Sequence, residues 1–329
     1  MLTSKVRRVP IAYLPTPLVE MERLSQELGG PRLFVKRDDQ TGLATGGNKA
    51  RKLEYLIAEA LDEGADTVLT VGAAQSNHSR QTAAAAAMYG LRCILILQGS
   101  GPADWSGNLL LDDLLGAQVH WAGDNPLHES MMEVAVEEES AGRHPYLIPV
   151  GGSNPTGALG YVAAMEELAG QLKERDLHAD AIVFASSSGG TQAGMIVGAE
   201  ALGFDGRVAG ISVARTKSGL REILQELVPQ TAEILGLDLS FDETDFVVYD
   251  DYVGEGYGVM GAPEREAIRL VARIEGILVD PVYTGRAMAG LLDLIRSGVF
   301  GSGETVIFWH TGGIPALFAY GEGLMKAIP

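Results

Sequence analysis

In the segment Thr41 to Tyr55, TGLATGGNKARKLEY, a lysine follows a glycine-rich turn in which Gly42, Gly46 and Gly47 allow backbone angles closed to other residues. From Ala50 onward Leu53, Leu56, Ile57 and Ala60 recur at helical spacing, so Lys49 opens a helix. A cation is electrostatically misplaced there, because the free N–H groups of a helix start already carry partial positive charge. Three readings compete. Lys49, Arg51 and Lys52 can form a solvated basic turn. Gly42 and Gly47 have the separation of a phosphate-binding P-loop, but Asn48, Lys49 and Ala50 follow where that motif requires Lys and then Ser or Thr, so it fails at two positions. The third is an amine whose deprotonation is eased by neighbouring positive dipoles, ready to form a Schiff base with a carbonyl cofactor.

Other segments carry groups that suit the third reading. SSSGGT (186–191) has the make-up of an anion cup. Gly189 and Gly190 let N–H groups turn inward, Ser188 and Thr191 add hydroxyls, and the following helix contributes its positive end, which favours a phosphate monoester. An ordinary strand-to-helix turn capped by Ser or Thr is the bland alternative. In QSNHSRQ (75–81), Ser76 and Asn77 either cap a helix or, with the backbone N–H groups, hold a substrate carboxylate and a cofactor hydroxyl. His78 has no Cys, Asp or His at metal-ligand spacing, so no metal site is expected. Tyr257 and Tyr283 stand beside glycines in turns leading to helices, placed either for packing or for stacking on a planar cofactor. Thr284 and Thr311 offer neutral hydroxyls to a ring nitrogen.

These residues need a scaffold that brings distant loops together. Apolar runs at 66–73, 92–98, 117–123, 146–151, 180–188, 207–214 and 304–312 read as strands, and helical patterns at 79–90, 158–174 and 191–203 lie between them. Strand–helix–strand repetition with β-branched runs predicts an α/β chain with open, mostly parallel sheets flanked by helices. In such sheets ligands bind at the carboxyl ends of strands. That is where AAQSNHSRQT, SSSGGTQAG and HTGGIPA fall.

With 329 residues and 46% hydrophobic content the chain has enough material for about two domains, and no linker divides it into sequential halves. One domain inserted into another is therefore expected. A formal charge of −18 argues against nucleic-acid and anionic-membrane binding, which need concentrated Lys and Arg. No apolar run approaches the roughly 20 residues of a membrane span, and the N-terminus lacks signal-peptide features, so a cytoplasmic location is expected. Cys93 lies in the apolar run LRCILILQ and is expected to pack in a core.

Taken together, LPTPL (14–18), FVKRDDQTGLATGGNKARKLE (34–54), DPVYTGRAMAGL (280–291) and FWHTGGIPALFAY (308–320) resemble pyridoxal-phosphate enzymes of the tryptophan-synthase β fold type, fold type II. Within that type the chain resembles the D-cysteine desulfhydrase and 1-aminocyclopropane-1-carboxylate deaminase family along nearly its whole length. The resemblance implies a larger cofactor-binding domain at 1–50 and 160–329, a smaller inserted α/β domain at 51–159, pyridoxal 5′-phosphate as cofactor, and a homodimer. Lys49 resembles the Schiff-base lysine, beside Asn48. Asn77 resembles the residue that binds the cofactor 3′-oxygen, and Ser188, Gly189, Gly190 and Thr191 resemble the phosphate cup. Tyr257 and Tyr283 resemble the active-site tyrosines, one of them stacking on the ring, which Thr311 also contacts. Ser76, Asn77, His78 and Thr284 are then the expected substrate contacts, with Ser76 facing the reacting carbons.

Deaminases that open the cyclopropane ring carry Glu after the second tyrosine and Leu after the histidine of the last strand. Thr284 and Thr311 stand there instead, as in D-cysteine desulfhydrases. A neutral partner for the ring nitrogen makes a weaker electron sink, which suits β-elimination of a good leaving group. The implied reaction converts D-cysteine to pyruvate, sulfide and ammonia. L-cysteate sulfo-lyase is the near alternative, with Arg215 either a sulfonate contact or solvated, and a cofactor-binding protein without turnover is the alternative of another class.

Overall fold

The computed structural model describes residues 2–326. Among these the strands are β1 (Leu18–Glu20), β2 (Arg32–Lys36), β3 (Thr67–Gly72), β4 (Arg92–Leu97), β5 (Gln118–Trp121), β6 (Pro145–Ile148), β7 (Ala181–Ser186), β8 (Arg207–Ser212), β9 (Val247–Tyr249) and β10 (Thr305–Trp309). They form two sheets. The larger runs β1-β2-β10-β7-β8-β9, parallel throughout except for β1, and the smaller runs β5-β4-β3-β6, all parallel. Each expected strand is present. β1, β2 and β9 escape the apolar pattern, because β1 and β9 are three residues long and β2 begins and ends in charge.

Burial explains the hydrophobic runs. Along β7, Ile182 and Phe184 enter the core on one face of the large sheet, while Ala181, Val183 and Ala185 enter the core on the other. Alternate side chains of a strand point to opposite faces, so a strand covered on both must be apolar throughout. β3 and β4 behave likewise in the small sheet, and Cys93 packs there among Leu95, Ile57 and Leu109.

The helix that Lys49 opens, Lys49–Asp62, is fixed by a buried ion network. Arg51 donates through Nε and a terminal nitrogen to both oxygens of Asp38, 2.9 Å each, and to both oxygens of Glu167 at 3.0 Å. Tyr161 donates to Asp38 at 2.6 Å, and Lys36 of β2 ion-pairs with Glu167. The network ties β2 and the helix Pro155–Glu174 to the helix that carries Lys49. Gly160 lets those two helices touch, since a Cβ there would stand 2.4 Å from the Arg51 carbonyl oxygen. The solvated basic turn is thereby overturned: Arg51 and Lys52 are only 2% and 1% exposed.

Burial by itself would raise the Asp38 and Glu167 carboxyl groups, but the Arg51 charge and its hydrogen bonds hold both below the usual carboxylate range. A depressed carboxylate stabilises the fold above its unfolded pKa, and that contribution is lost as pH falls through the folded value. Removing one partner of a buried pair strands the other charge at a cost of about 3–5 kcal/mol. Asp38→Ala is expected to lose about that much stability in denaturant unfolding at pH 7, with the deficit shrinking as the wild-type network is protonated in acid.

Candidate active site

The cleft lies where the loops at the carboxyl ends of β3, β7 and β10 meet the turn before Lys49. It encloses about 310 Å³, within the size range of small-ligand sites. Asn48, Lys49, Ser76, Asn77, His78, Ser188, Gly189, Thr191, Tyr257, Tyr283 and Thr311 all line it.

The turn before Lys49 is forced into rarely occupied backbone. Ala44, Thr45, Gly46 and Gly47 have φ of 41°, 73°, 74° and 131° in succession, and a Cβ at Gly46 would lie 2.1 Å from the Asp39 carbonyl oxygen. A β-branched Thr at positive φ stores strain that surrounding contacts must hold. Among those contacts, Asn48 N donates to Thr311 O at 2.9 Å, and Arg80 donates to Gly46 O at 2.6 Å.

The Lys49 amine donates to Asn48 Oδ1 at 2.9 Å, and Asn48 Nδ2 donates to Thr191 Oγ1 at 3.0 Å. Asn48 therefore links the amine to the anion cup. Burial, helped by the Arg80 charge and opposed by Asp280, brings the Lys49 amine down to about 8. This is the eased deprotonation anticipated from the sequence, with burial and a second cation as its principal causes.

The cup is the SSSGGT loop, with the helix Gly190–Leu202 behind it. Gly190 N donates to Ser153 Oγ at 3.2 Å, and the Ser153 and Ser188 hydroxyls are 2.7 Å apart. Gly190 is not part of the lining surface and contributes this backbone contact instead. Two residues escape the sequence pattern. Ser153 is one, and Lys52 is the other: its Nζ donates to Gly151 O at 3.0 Å and Ser153 Oγ at 3.1 Å, and a Cβ on Gly190 would come within 2.8 Å of it. The signal for Lys52 is its spacing, since residues three apart share a helix face with Lys49. Burial and the Lys49 charge push the Lys52 amine well below its ordinary value.

Ser76 caps the helix Asn77–Tyr89, its Oγ accepting from Ser79 N at 3.2 Å, and still faces the cleft. His78 Nε2 lies 2.7 Å from Thr70 Oγ1, and burial with the Lys49 and Lys52 charges holds the ring neutral. No group of metal-ligating side chains occurs among the described residues. The Tyr257 and Tyr283 hydroxyls are hydrogen-bonded to each other, with ring centroids 5.9 Å apart at 68°. Burial raises the Tyr283 phenol well above its ordinary value, so it stays protonated. Thr284 lies behind the cleft and not on its lining. Its hydroxyl donates to Asp280 Oδ1 at 2.7 Å and meets the Asp280 N–H at 2.8 Å, so it holds the Tyr283 turn. Arg215 is on the loop after β8 and is absent from the lining.

Lys49, Lys52 and Arg80 have hydrogen bonds only to neutral oxygens, and none forms an ion pair with a carboxylate among the described residues. A buried surplus of positive charge is costly unless an anion neutralises it. A glycine N–H cup with one lysine behind it, and Asn48 linking it to a second lysine whose amine is lowered to about 8, is the donor set that a phosphorylated aldehyde requires. The residues fit that group.

A family profile described as pyridoxal-phosphate dependent enzyme matches residues 9–312. A curated protein of Klebsiella pneumoniae (strain 342), D-cysteine desulfhydrase, is 46% identical over 324 residues, covering 96% of this chain and 97% of that protein. A crystal structure of an ACC deaminase homologue superposes with a TM-score of 0.91 at 42% identity, covering 98% of this chain and 97% of the other. A threonine deaminase from Solanum lycopersicum, in its processed form, shares the fold at 18% identity and a TM-score of 0.66, covering 92% of this chain and 80% of the other.

The lowered Lys49 value carries a sign. An amine whose folded pKa lies below its unfolded value of 10.5 costs stability while charged, and the cost fades as pH rises from about 8 past 10.5. Cofactor-free Lys49→Met is therefore expected to melt above cofactor-free wild type at pH 7, with the two curves converging by about pH 10.5. A gap that stays constant across that range would show that Lys49 carries no such burden.

Proposed function

The chain belongs to the pyridoxal-phosphate dependent enzyme family and is a lyase of that family, and from this premise we propose that it converts D-cysteine and water to pyruvate, hydrogen sulfide and ammonia. The observation that carries the reading is the Lys49 amine on the cleft wall, lowered to about 8, with the buried cations Lys52 and Arg80 behind it. The 46% identity to D-cysteine desulfhydrase supports the substrate, as does Thr311 on the cleft wall, where a neutral hydroxyl suits a weak electron sink.

The roles we assign follow from what each group donates or accepts. Lys52, Ser153, Ser188, Gly189, Gly190 and Thr191 hold the phosphate. When bound, pyridoxal phosphate supplies an aldehyde that condenses with amines and a ring that accepts the electron pair leaving the substrate α-carbon. The Lys49 amine, fixed by Asn48, would take the substrate α-proton. Ser76 and the N–H groups of the helix start behind it hold the substrate carboxylate, and His78, kept neutral, supports that wall. The Tyr257 and Tyr283 hydroxyls, paired and protonated, orient the substrate side chain and supply a proton to the departing thiolate. Water then completes the conversion to the keto acid and ammonia.

We further propose the two-domain division at 1–50 with 160–329 and at 51–159, a homodimer, and a cytoplasmic location. The segregation of the two sheets along the chain supports the first. Trp105, Leu110, Leu114 and Phe318, exposed near the contact between the helices Gly107–Leu114 and Ala316–Ala319, support a second copy covering that face. Among the described residues no helix is long and apolar enough to cross a membrane.

Keto-acid release by the loaded enzyme on D-cysteine and L-cysteate at equal concentrations tests the substrate. Pyruvate chiefly from D-cysteine is expected, and pyruvate chiefly from L-cysteate would replace sulfide by sulfite as the leaving group. Lys49→Ala is expected to lower kcat about 1000-fold while cofactor still binds, the loss typical of a missing general base.

A further inference from the structure

Arg80 is wholly buried beneath the cleft, in the helix Asn77–Tyr89. One terminal nitrogen donates to Asn108 Oδ1 at 2.8 Å and to Asn77 Oδ1 at 3.3 Å, and the other to Gly46 O at 2.6 Å. A guanidinium has donors and no acceptor. Whichever amide atom faces it must be oxygen, which fixes two side chains at once. Asn108, accepting from Arg80 through its oxygen, has only its NH₂ left, and donates it to Asn77 Oδ1 at 3.2 Å and to Gln75 O at 3.0 Å. Asn77 then receives two donors on its oxygen. Its NH₂ meets no acceptor among the described residues, while Asn77 lines the cleft.

We propose that Arg80 is a positioning residue that, directly and through Asn108, sets the polarity of the Asn77 amide so that an N–H, and never a lone pair, faces the cofactor's ring oxygen. An oxygen met by an N–H is favoured in its ionised form, whereas one met by a carbonyl must keep its proton. The polarity chosen by a cation outside the lining thus selects the protonation state of the group inside it. Asp112, whose carboxylate has no hydrogen-bond partner among the described residues, interacts with the Arg80 charge without replacing either asparagine.

The inference rests on the reading of Asn77 as the donor to that oxygen. It is tested on cofactor-loaded enzyme without substrate, by equilibrium titration of cofactor affinity and by the pH dependence of visible absorption, which separates ionised from protonated ring oxygen. Arg80→Gln, able to accept as well as donate, is expected to weaken cofactor affinity about 10-fold and to enrich the protonated form. Arg80→Lys, a donor without acceptors, is expected to keep the ionised form predominant. Asn108→Asp, which offers only acceptors to Asn77 and so favours its flipped amide, is expected to shift absorption in the same direction as Arg80→Gln and carries the test if that variant does not fold. Wild-type affinity and absorption in both Arg80→Gln and Asn108→Asp, alongside a clear change in Asn77→Ala, would overturn the role of Arg80 and leave Asn77 in place. An unchanged Asn77→Ala would overturn the reading of Asn77, and the proposal with it.

Discussion

Two buried cations, Lys52 and Arg80, and the half-buried Lys49, none in ion-pair contact with a carboxylate among the described residues, are the constraint around which this molecule is arranged. Lys49 and Lys52 stand one helical turn apart at the start of one helix, Arg80 is in the first turns of another, and all three face neutral oxygens. A few hydrophobic contacts do not offset such charges. They persist because the surrounding framework is rigid and over-determined, and because the family's cofactor brings the missing negative charge. Stability is given up locally at the place where chemistry is to occur.

The framework that tolerates this is itself ionic on one side and apolar on the other. Arg51, on the same helix as the two lysines, is fully matched by Asp38 and Glu167. One helix therefore carries both a neutralised cation that anchors it and two unneutralised ones that it presents. The sheets place three loops at one edge, and the close approach of Gly312 to Gly47, where a Cβ on Gly312 would lie 2.6 Å from the Gly47 Cα, seals the turn against the last of them. The loops at 48, 188, 257 and 311 follow parallel strands of the large sheet, the loop at 76 follows β3 of the small one, and both carboxyl ends face the cleft.

Much of this is legible in the sequence. The apolar runs reveal their strands because each is covered on two faces, and the loops reveal most of the cleft because polar and glycine residues at strand ends have few other reasons to occur together. β9 and β1 are not legible, being too short for periodicity to register. Lys52 is misjudged for a different reason. Composition sees a charge and assigns it to solvent, whereas its burial depends on the helix Pro155–Glu174 and on the loop at Gly151, more than ninety residues away. Thr284 is misplaced in the opposite sense. Its type suits the ring nitrogen, but a threonine at a helix start finds its nearest partners in its own turn, here Asp280, and local hydrogen bonding takes precedence.

Hydrogen-bond direction extends the same economy of charge into the neutral residues. A charged lysine or an arginine cannot accept, so every amide it touches in that state is oriented by it. Lys49 fixes Asn48, which then donates to Thr191. Arg80 fixes Asn108 and, directly and through it, Asn77, which then presents a donor to the cleft. Both chains begin at a buried cation, and each runs outward through asparagine to a face of the site. Asparagine suits the task because one end accepts and the other donates, so it carries polarity onward without adding charge. The cations that demand an anion thus also line up the neutral groups that receive it, and the electrostatic cost of the site and its selectivity for an ionised ligand have a single origin.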